Sequence, residues 1–393
     1  MDKQTDINAD GTKRALSNRH VQMIALGGTI GTALFLGAST SIKKTGPSII
    51  FVYMITGIFF FLMMRGMGEM LYADPSQHTF IAFISRYLGK RTGYFAGWTY
   101  WINLICVGMA ELTAIANYVQ FWLPHAPSWL IQIIFLALLA SVNLIAVRLF
   151  GEAEFWFALI KIIAILAMIA TGFFLLFTHF KTSSGAVSLT NITSGFTLFP
   201  NGIKNFISAF PMVFFAFCGM EFVGITTAET KNPRKVLPKA INEIIFRILI
   251  FYVGALFVIM LIYPWRSLST SQSPFVQVFS LIGLRAAAAV VNFVVLTSAA
   301  SSINSVIYSA GRHFYQLSLD SNGSFMQHFN HISSHGVPAR GILISVTLCL
   351  LAPILSVVPG ISNVFALIAA ACSDLYLIVY ALTIAAHYRY RQS

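Results

Sequence analysis

The chain has 393 residues, of which 57% are hydrophobic and 10% charged, with a mean hydropathy of +0.77. That is far from the roughly one-quarter charged composition of a soluble domain, so a soluble globular protein is excluded and an integral membrane protein implied. The net charge of +12 would suit nucleic acid in a soluble protein. Here it gathers between apolar runs, where anionic membrane lipids are a sufficient partner, and no nucleic acid is implied.

The first 20 residues are polar and mixed in charge, unlike a cleavable signal peptide, so the first apolar run is expected to act as an uncleaved insertion signal. A membrane span takes about 20 apolar residues. Runs at 21–42, 47–71, 93–123, 128–147, 153–177, 207–225, 243–263, 286–311, 340–358 and 361–386 predict ten transmembrane helices and an all-α fold. The expected organisation is a cytoplasmic tail (1–20), a first half (21–177), an extracytoplasmic connection (178–206), a second half (207–386) and a cytoplasmic end (387–393). Between the second and third spans, Phe80, Phe83, Ile84, Tyr87 and Leu88 recur at helical spacing. They suit a short amphipathic helix at the cytoplasmic interface, with a plain surface loop as the alternative.

With strict alternation from an internal N-terminus, most basic residues, among them Lys13, Arg14, Arg65, Arg86, Lys90, Arg91, Arg234 and Lys235, fall on the cytoplasmic side. Lys43, Lys44, Lys181, Lys204, Arg266 and Arg285 fall outside. The bias places both termini in the cytoplasm. Cys106, Cys218, Cys349 and Cys372 lie inside expected helices without metal-site or disulfide spacing, and read as buried free thiols.

Two interruptions carry the functional signal. Gly27-Gly28-Thr29-Ile30-Gly31 breaks the first apolar run, and Phe215-Ala216-Phe217-Cys218-Gly219-Met220-Glu221 breaks the run that opens the second half. Such breaks free backbone N–H and C=O groups that hydrocarbon cannot satisfy, so they persist only against protein, water or a ligand. A pair of them at matching places marks a secondary transporter with an internal repeat. The alternative is that the glycines only let helices pack closely.

The segment from Leu16-Ser17-Asn18-Arg19-His20 through Gly31-Thr32 resembles the opening of the bacterial amino acid permeases of the amino acid–polyamine–organocation superfamily. Gly151-Glu152-Ala153-Glu154-Phe155-Trp156-Phe157 with Lys161, the second break, Ala228-Glu229-Thr230-Lys231-Asn232-Pro233 and Gly336-Val337-Pro338 are similar to it as well. Within the family, the start of the second span from Pro47 and the run Asn292 to Ser302 look most like members that carry D-serine, D-alanine and glycine. The resemblance implies two inverted five-helix repeats with helices 1 and 6 broken. Members usually add two further helices after the point where this chain stops, at Arg389-Tyr390-Arg391 and the two residues beyond. The sequence departs from the family pattern at Ala33, where a glycine is usual and a methyl group would narrow the site or else stiffen the outer half of helix 1, and at Val306.

A zwitterionic amino acid asks for donors at its carboxylate and acceptors at its ammonium. N–H groups of Gly28, Thr29, Ile30 and Gly31 begin the outer half of helix 1, where the helix dipole favours a carboxylate. Carbonyls of Ile24, Phe215 and Ala216 end half-helices and can accept from the ammonium, as the family resemblance also implies. Substrate contacts are therefore expected at Ile24, Gly27, Gly28, Thr29, Ile30, Gly31, Phe215, Ala216, Phe217 and Gly219, with Phe215 and Phe217 placed to occlude the site or else simply to pack in the core.

Intramembrane ionisable groups are costly and are usually functional or paired. Glu111, Glu221 and Lys161 are the candidates for carrying a coupling proton. Lys161 leads, because burial disfavours an ammonium and a lysine there can bind and release a proton; a permanently paired lysine is the alternative. Asp374 reads as a polar helix contact. No cofactor is implied, and no His-Glu-x-x-His, Gly-x-Ser-x-Gly or paired catalytic aspartates speaks for an enzyme. Proton-coupled uptake of a small neutral amino acid by alternating access is the expected function; a truncated inactive permease and an amino acid sensor on a transporter fold stay open as alternatives.

Overall fold

The structure, a computed structural model, describes Ser17, Val21, Met23 and residues 30–393, apart from 78, 146, 183–184, 228–229, 231, 244–245, 247, 271, 284, 320, 322 and 359–363. Among the described residues, eight helical stretches are long and apolar enough to cross a membrane, and Leu249–Ile262 is a shorter apolar helix. The first stretch, Ala33–Ala73, holds the outer part of the first expected span and all of the second. In it a π-helical turn, Ala33–Gly37, runs into α1 (Ala38–Thr45), and a corner at Gly46-Pro47-Ser48 leads to α2 (Ile49–Ala73). Gly46 takes φ of 59° there, which a residue with a Cβ rarely adopts.

Why α2 crosses the membrane is visible in its two sides. Val52, Tyr53, Phe60 and Met64 are buried against protein, while Phe51, Ile55, Ile58 and Leu62 are exposed. A helix apolar all round satisfies a protein core on one side and hydrocarbon on the other.

The amphipathic segment forms a helix, α3 (Ile81–Leu88), but its apolar side does not face lipid. Phe80, Ile81, Phe83 and Ile84 are buried in protein. The cause is the tight reversal into α4 (Lys90–Gln120): Gly89 has φ of 96°, and a Cβ at Gly93 would lie 2.6 Å from the Ser85 Cα, so α3 is folded down onto α4. Asp74, just past α2, holds this corner through an ion pair with Arg86 at 2.8 Å. Burial pushes the Asp74 carboxyl up, but hydrogen bonds from Ser76, Arg86 and Gln77 outweigh it and bring its pKa to about 2. A depressed carboxyl stabilises above its unfolded pKa, near 4, and loses that contribution as pH falls through the folded value. The protection factor for hydrogen exchange in 81–88, corrected for the intrinsic pH dependence of amide exchange, is therefore expected to be flat above about pH 4 and to fall between about pH 4 and 2; a fall centred near neutrality would contradict this.

After α5 (Ser128–Ile145) and α6 (Val147–Phe177), the connection carries the small two-stranded exception to an all-helical chain, β1 (Lys181–Thr182) paired antiparallel with β2 (Gly185–Ala186). The sixth expected span is two helices, α7 (Phe210–Phe217) and α8 (Phe222–Thr226), followed by α9 (Pro233–Asn242). The seventh is a π-helical Ile248–Gly254 running into α10 (Ala255–Ile262), whose residues are almost all buried. Then come α11 (Pro274–Leu281), α12 (Arg285–Leu319), α13 (Ala339–Cys349), α14 (Leu351–Ser356) and α15 (Val364–Tyr390). α12 packs along α4 and α6, and α15 along α4, so these four helices enclose the two helix breaks. The four cysteines are free; Cys218, Cys349 and Cys372 are buried, and Cys106 is half-buried rather than fully so.

Candidate substrate site at two helix breaks

The second break is explicit. α7 ends at Phe217, Cys218 is extended (φ −63°, ψ 141°), Gly219 takes φ of 101°, and α8 starts at Phe222. Glu221 closes the break onto itself, since its Oε2 accepts from the Gly219 N–H at 2.9 Å and from the Tyr380 hydroxyl at 2.8 Å. Its Oε1 accepts from Tyr100 and Tyr376, each at 3.0 Å. Four donors on one buried carboxylate use its acceptor capacity well. They tie the break to α4 and α15 by bonds worth roughly 0.6 kcal/mol each on average in a membrane protein.

At the first break, the expectations for Ile24, Gly27, Gly28 and Thr29 lie outside the described residues. Ile30 and Gly31 are described. The Ile30 carbonyl accepts from the Ser298 hydroxyl of α12 and from Lys161 Nζ of α6, the latter at 3.0 Å. Lys161 Nζ also donates to Ser301 Oγ at 2.9 Å, and Ser301 passes its own proton to Glu154 Oε1 at 2.6 Å. The next residue of α12, Ser302, donates to Glu111 Oε1 at 2.9 Å. Lys161, Glu154 and Glu111 are all buried. The lysine thus holds the broken end of helix 1, with two carboxylates close enough for their charges to act on it.

Between the breaks lies a small cavity of about 10 Å³, lined by Gly31, Ala33, Glu111, Phe215, Gly219 and Ser302 among others. Such a volume suits about one water molecule, so an amino acid requires its wall to open. On one side, a cavity of about 510 Å³ is lined by residues of α1, α4, α7 and α15, including Gly37, Asn117, Met212 and Phe365. Phe215 lines the small cavity, Phe365 the large one, and their rings pack at 6.2 Å between centroids. That aromatic pair links the two linings.

A sequence model of amino acid permeases matches residues 20–393. The chain belongs to the amino acid permease family. It is 50% identical to the DL-alanine permease SerP2 of Lactococcus lactis subsp. cremoris over 99% of this chain and 84% of that one. It is 44% identical to the D-serine/D-alanine/glycine transporter of Escherichia coli over 97% of this chain and 81% of the relative. Among solved structures, MhsT in complex with L-phenylalanine superposes with a TM-score of 0.64 at 15% identity, over 93% of this chain and 87% of MhsT. At that identity the likeness is one of fold: an all-α membrane transporter built as an inverted repeat.

In this permease, Gly31, Phe215 and Gly219 line the cavity together with Ala33. Ala216 and Phe217 are placed elsewhere. The Ala216 carbonyl already accepts from the Tyr252 hydroxyl at 2.8 Å, and the Phe217 ring stacks on Tyr252 at 4.9 Å and 9° within a cluster that includes Tyr53 and Phe60. Asp374 lies on the exposed side of α15. Sequence reasoning missed the working roles of Glu154, Ser298, Ser301 and Ser302 and of the three tyrosines on Glu221. The available signal was Ser298, Ser301 and Ser302 recurring within one turn and a half of an otherwise apolar span, because hydroxyls there must find partners.

Proposed function

We propose that this permease is a secondary active transporter that takes up small neutral amino acids, D-serine, D-alanine and glycine, together with a proton by alternating access. It works in the bacterial inner membrane, with both termini cytoplasmic and repeats over 21–177 and 207–386. The observation that carries the reading is Lys161 Nζ bonded to the Ile30 carbonyl, which puts a titratable cation on the backbone of the broken helix beside the cavity. An ammonium has three donors, so it can bridge Ile30 and Ser301 and still face a carboxylate; a neutral amine keeps two weaker donors and loses its charge attraction to the carboxylates. Protonation of Lys161 therefore tightens helix 1 against α6 and α12, and deprotonation loosens it, which links the proton to the shape of the substrate site.

Substrate sits at the cavity with its carboxylate toward the N–H groups that start at Gly31 and its ammonium toward Glu111 and the end of α7. Glu221, saturated by four donors, holds the second break in place while Lys161 and Glu111 carry the proton chemistry. Phe215 and Phe365 part to admit substrate. Small side chains are favoured because Ala33 adds a methyl group to the lining of a small cavity, and because relatives are named for alanine, for serine, or for D-serine, D-alanine and glycine.

Competition in proteoliposomes tests the substrate class. Glycine, D-alanine and D-serine are expected to displace labelled D-alanine, and tryptophan, arginine and lysine are not. Strong uptake of those large or cationic amino acids with none of glycine would reject the assignment.

A further inference from the structure

Far from the helix breaks, a cavity of about 720 Å³ opens where α3, α4 and α12 meet, next to the end of α2. Its rim carries Arg86, Lys90 and Arg91, and its described lining includes Gln77 and Ser85 but no acidic side chain. Asp74 neutralises Arg86 from outside the lining, which leaves Lys90 and Arg91, both exposed, as the net positive charge facing the space. The inner wall is His313 of α12, buried and fixed by contacts of its ring nitrogens with the Gly97 carbonyl at 2.8 Å and Thr79 Oγ1 at 3.1 Å. The first turn of α4 also opens here without a side-chain cap.

This is a rigid, concave, positively charged space at the boundary between a membrane span and its polar end. From its edge an apolar track runs along the outer face of α4, where Tyr94 is 54% and Ile102 48% exposed. Tyrosine at such a level is typical of a headgroup boundary. We propose that the cavity binds the phosphate group of an anionic phospholipid, the phosphate between Lys90 and Arg91 and an acyl chain along the Tyr94 and Ile102 face. An arginine offers a fork of donors to phosphate and a lysine a point charge. The apolar track favours a lipid over a free phosphate, and the site goes beyond the transport reading without depending on it.

The test uses the full chain purified in detergent, titrated with phosphatidylglycerol or phosphatidylcholine and read by native mass spectrometry. Wild type is expected to retain phosphatidylglycerol in preference to phosphatidylcholine. The double variant Lys90→Gln with Arg91→Gln is expected to bind it roughly 30-fold more weakly, about fivefold for each charge lost. Lys90→Arg with Arg91→Lys, which keeps both charges, should retain the lipid, as should Lys235→Gln with Lys239→Gln on α9. Equal binding by wild type and the Lys90/Arg91 glutamine variant overturns the proposal, and so does an equal loss in the α9 variant, which would mark a diffuse field. Inorganic phosphate and glycerol phosphate are added as competitors; displacement of the lipid by either at matched concentration overturns the lipid assignment in favour of a free phosphate.

Discussion

Replacing Lys161 by alanine is expected to abolish accumulation of substrate driven by an acidic exterior, while exchange of substrate across the membrane persists. The wild-type protein, reconstituted in vesicles, should concentrate substrate when the outside is acidic and stop when a protonophore collapses the gradient. The physical reason is the dual attachment of Nζ, which grips the Ile30 carbonyl at 3.0 Å and reaches Glu154 through Ser301. Removing the ammonium leaves buried carboxylates without their cation, a change that costs roughly 3–5 kcal/mol when one partner of a buried pair is deleted. A fall in thermal stability is therefore expected with the alanine variant, and it must be separated from loss of coupling. Lys161→Arg does so: a guanidinium keeps the positive charge and the hydrogen bonds but does not release its proton. It should insert and remain stable, exchange substrate, and fail to accumulate it in response to pH. A Lys161→Arg or Lys161→Ala protein that still concentrates substrate in a pH-dependent way would move the coupling proton to Glu111 or Glu154.

Much of this architecture was open to reading in the chain because hydrocarbon imposes a simple rule on sequence. The runs at 93–123 and 128–147 became α4 and α5 with ends shifted by only a few residues, since a span needs enough apolar length and little else. The break at Cys218 and Gly219 was legible for the converse reason: a glycine and a carboxylate within an apolar run demand backbone and side-chain partners. What the sequence could not supply was the identity of those partners. Glu221 reads as a free intramembrane acid until Tyr100, Tyr376 and Tyr380 arrive from residues more than one hundred positions away. Phe215 and Phe217 look equivalent on paper, two residues apart in the same run. Helical rotation sends one toward the cavity and Phe365, and the other into the stack on Tyr252. In the same way, the periodicity of α3 established an apolar face but not what it would meet, and the reversal at Gly89 gave it α4 instead of lipid.

Substituting valine for Gly31 is expected to abolish substrate binding. Gly31 does not need glycine for its backbone, because its φ lies outside the left-handed region where a side chain would be strained. The demand is for space. A Cβ built there would lie 2.9 Å from Glu111 Oε1 and 3.3 Å from Ser302 Oγ, the two atoms of one hydrogen bond that borders the cavity. Alanine asks the end of the Glu111 side chain to give by a few tenths of an ångström, so Gly31→Ala should weaken binding moderately, within the roughly 1–3 kcal/mol usual for overpacking a tight site. Valine adds two methyl groups that reach further into a space of about 10 Å³ and force the carboxylate off Ser302. If that steric chain is right, shortening the acid should relieve it: Gly31→Ala combined with Glu111→Asp is expected to recover part of the affinity that Gly31→Ala alone loses, giving a positive coupling in a double-mutant cycle. Equilibrium binding of labelled D-alanine to purified protein, alongside circular dichroism to establish that each variant is folded, reads both effects. A folded Gly31→Val protein that binds normally would place the substrate site away from the helix breaks, and strict additivity of the two milder substitutions would remove Glu111 from the wall that Gly31 keeps open.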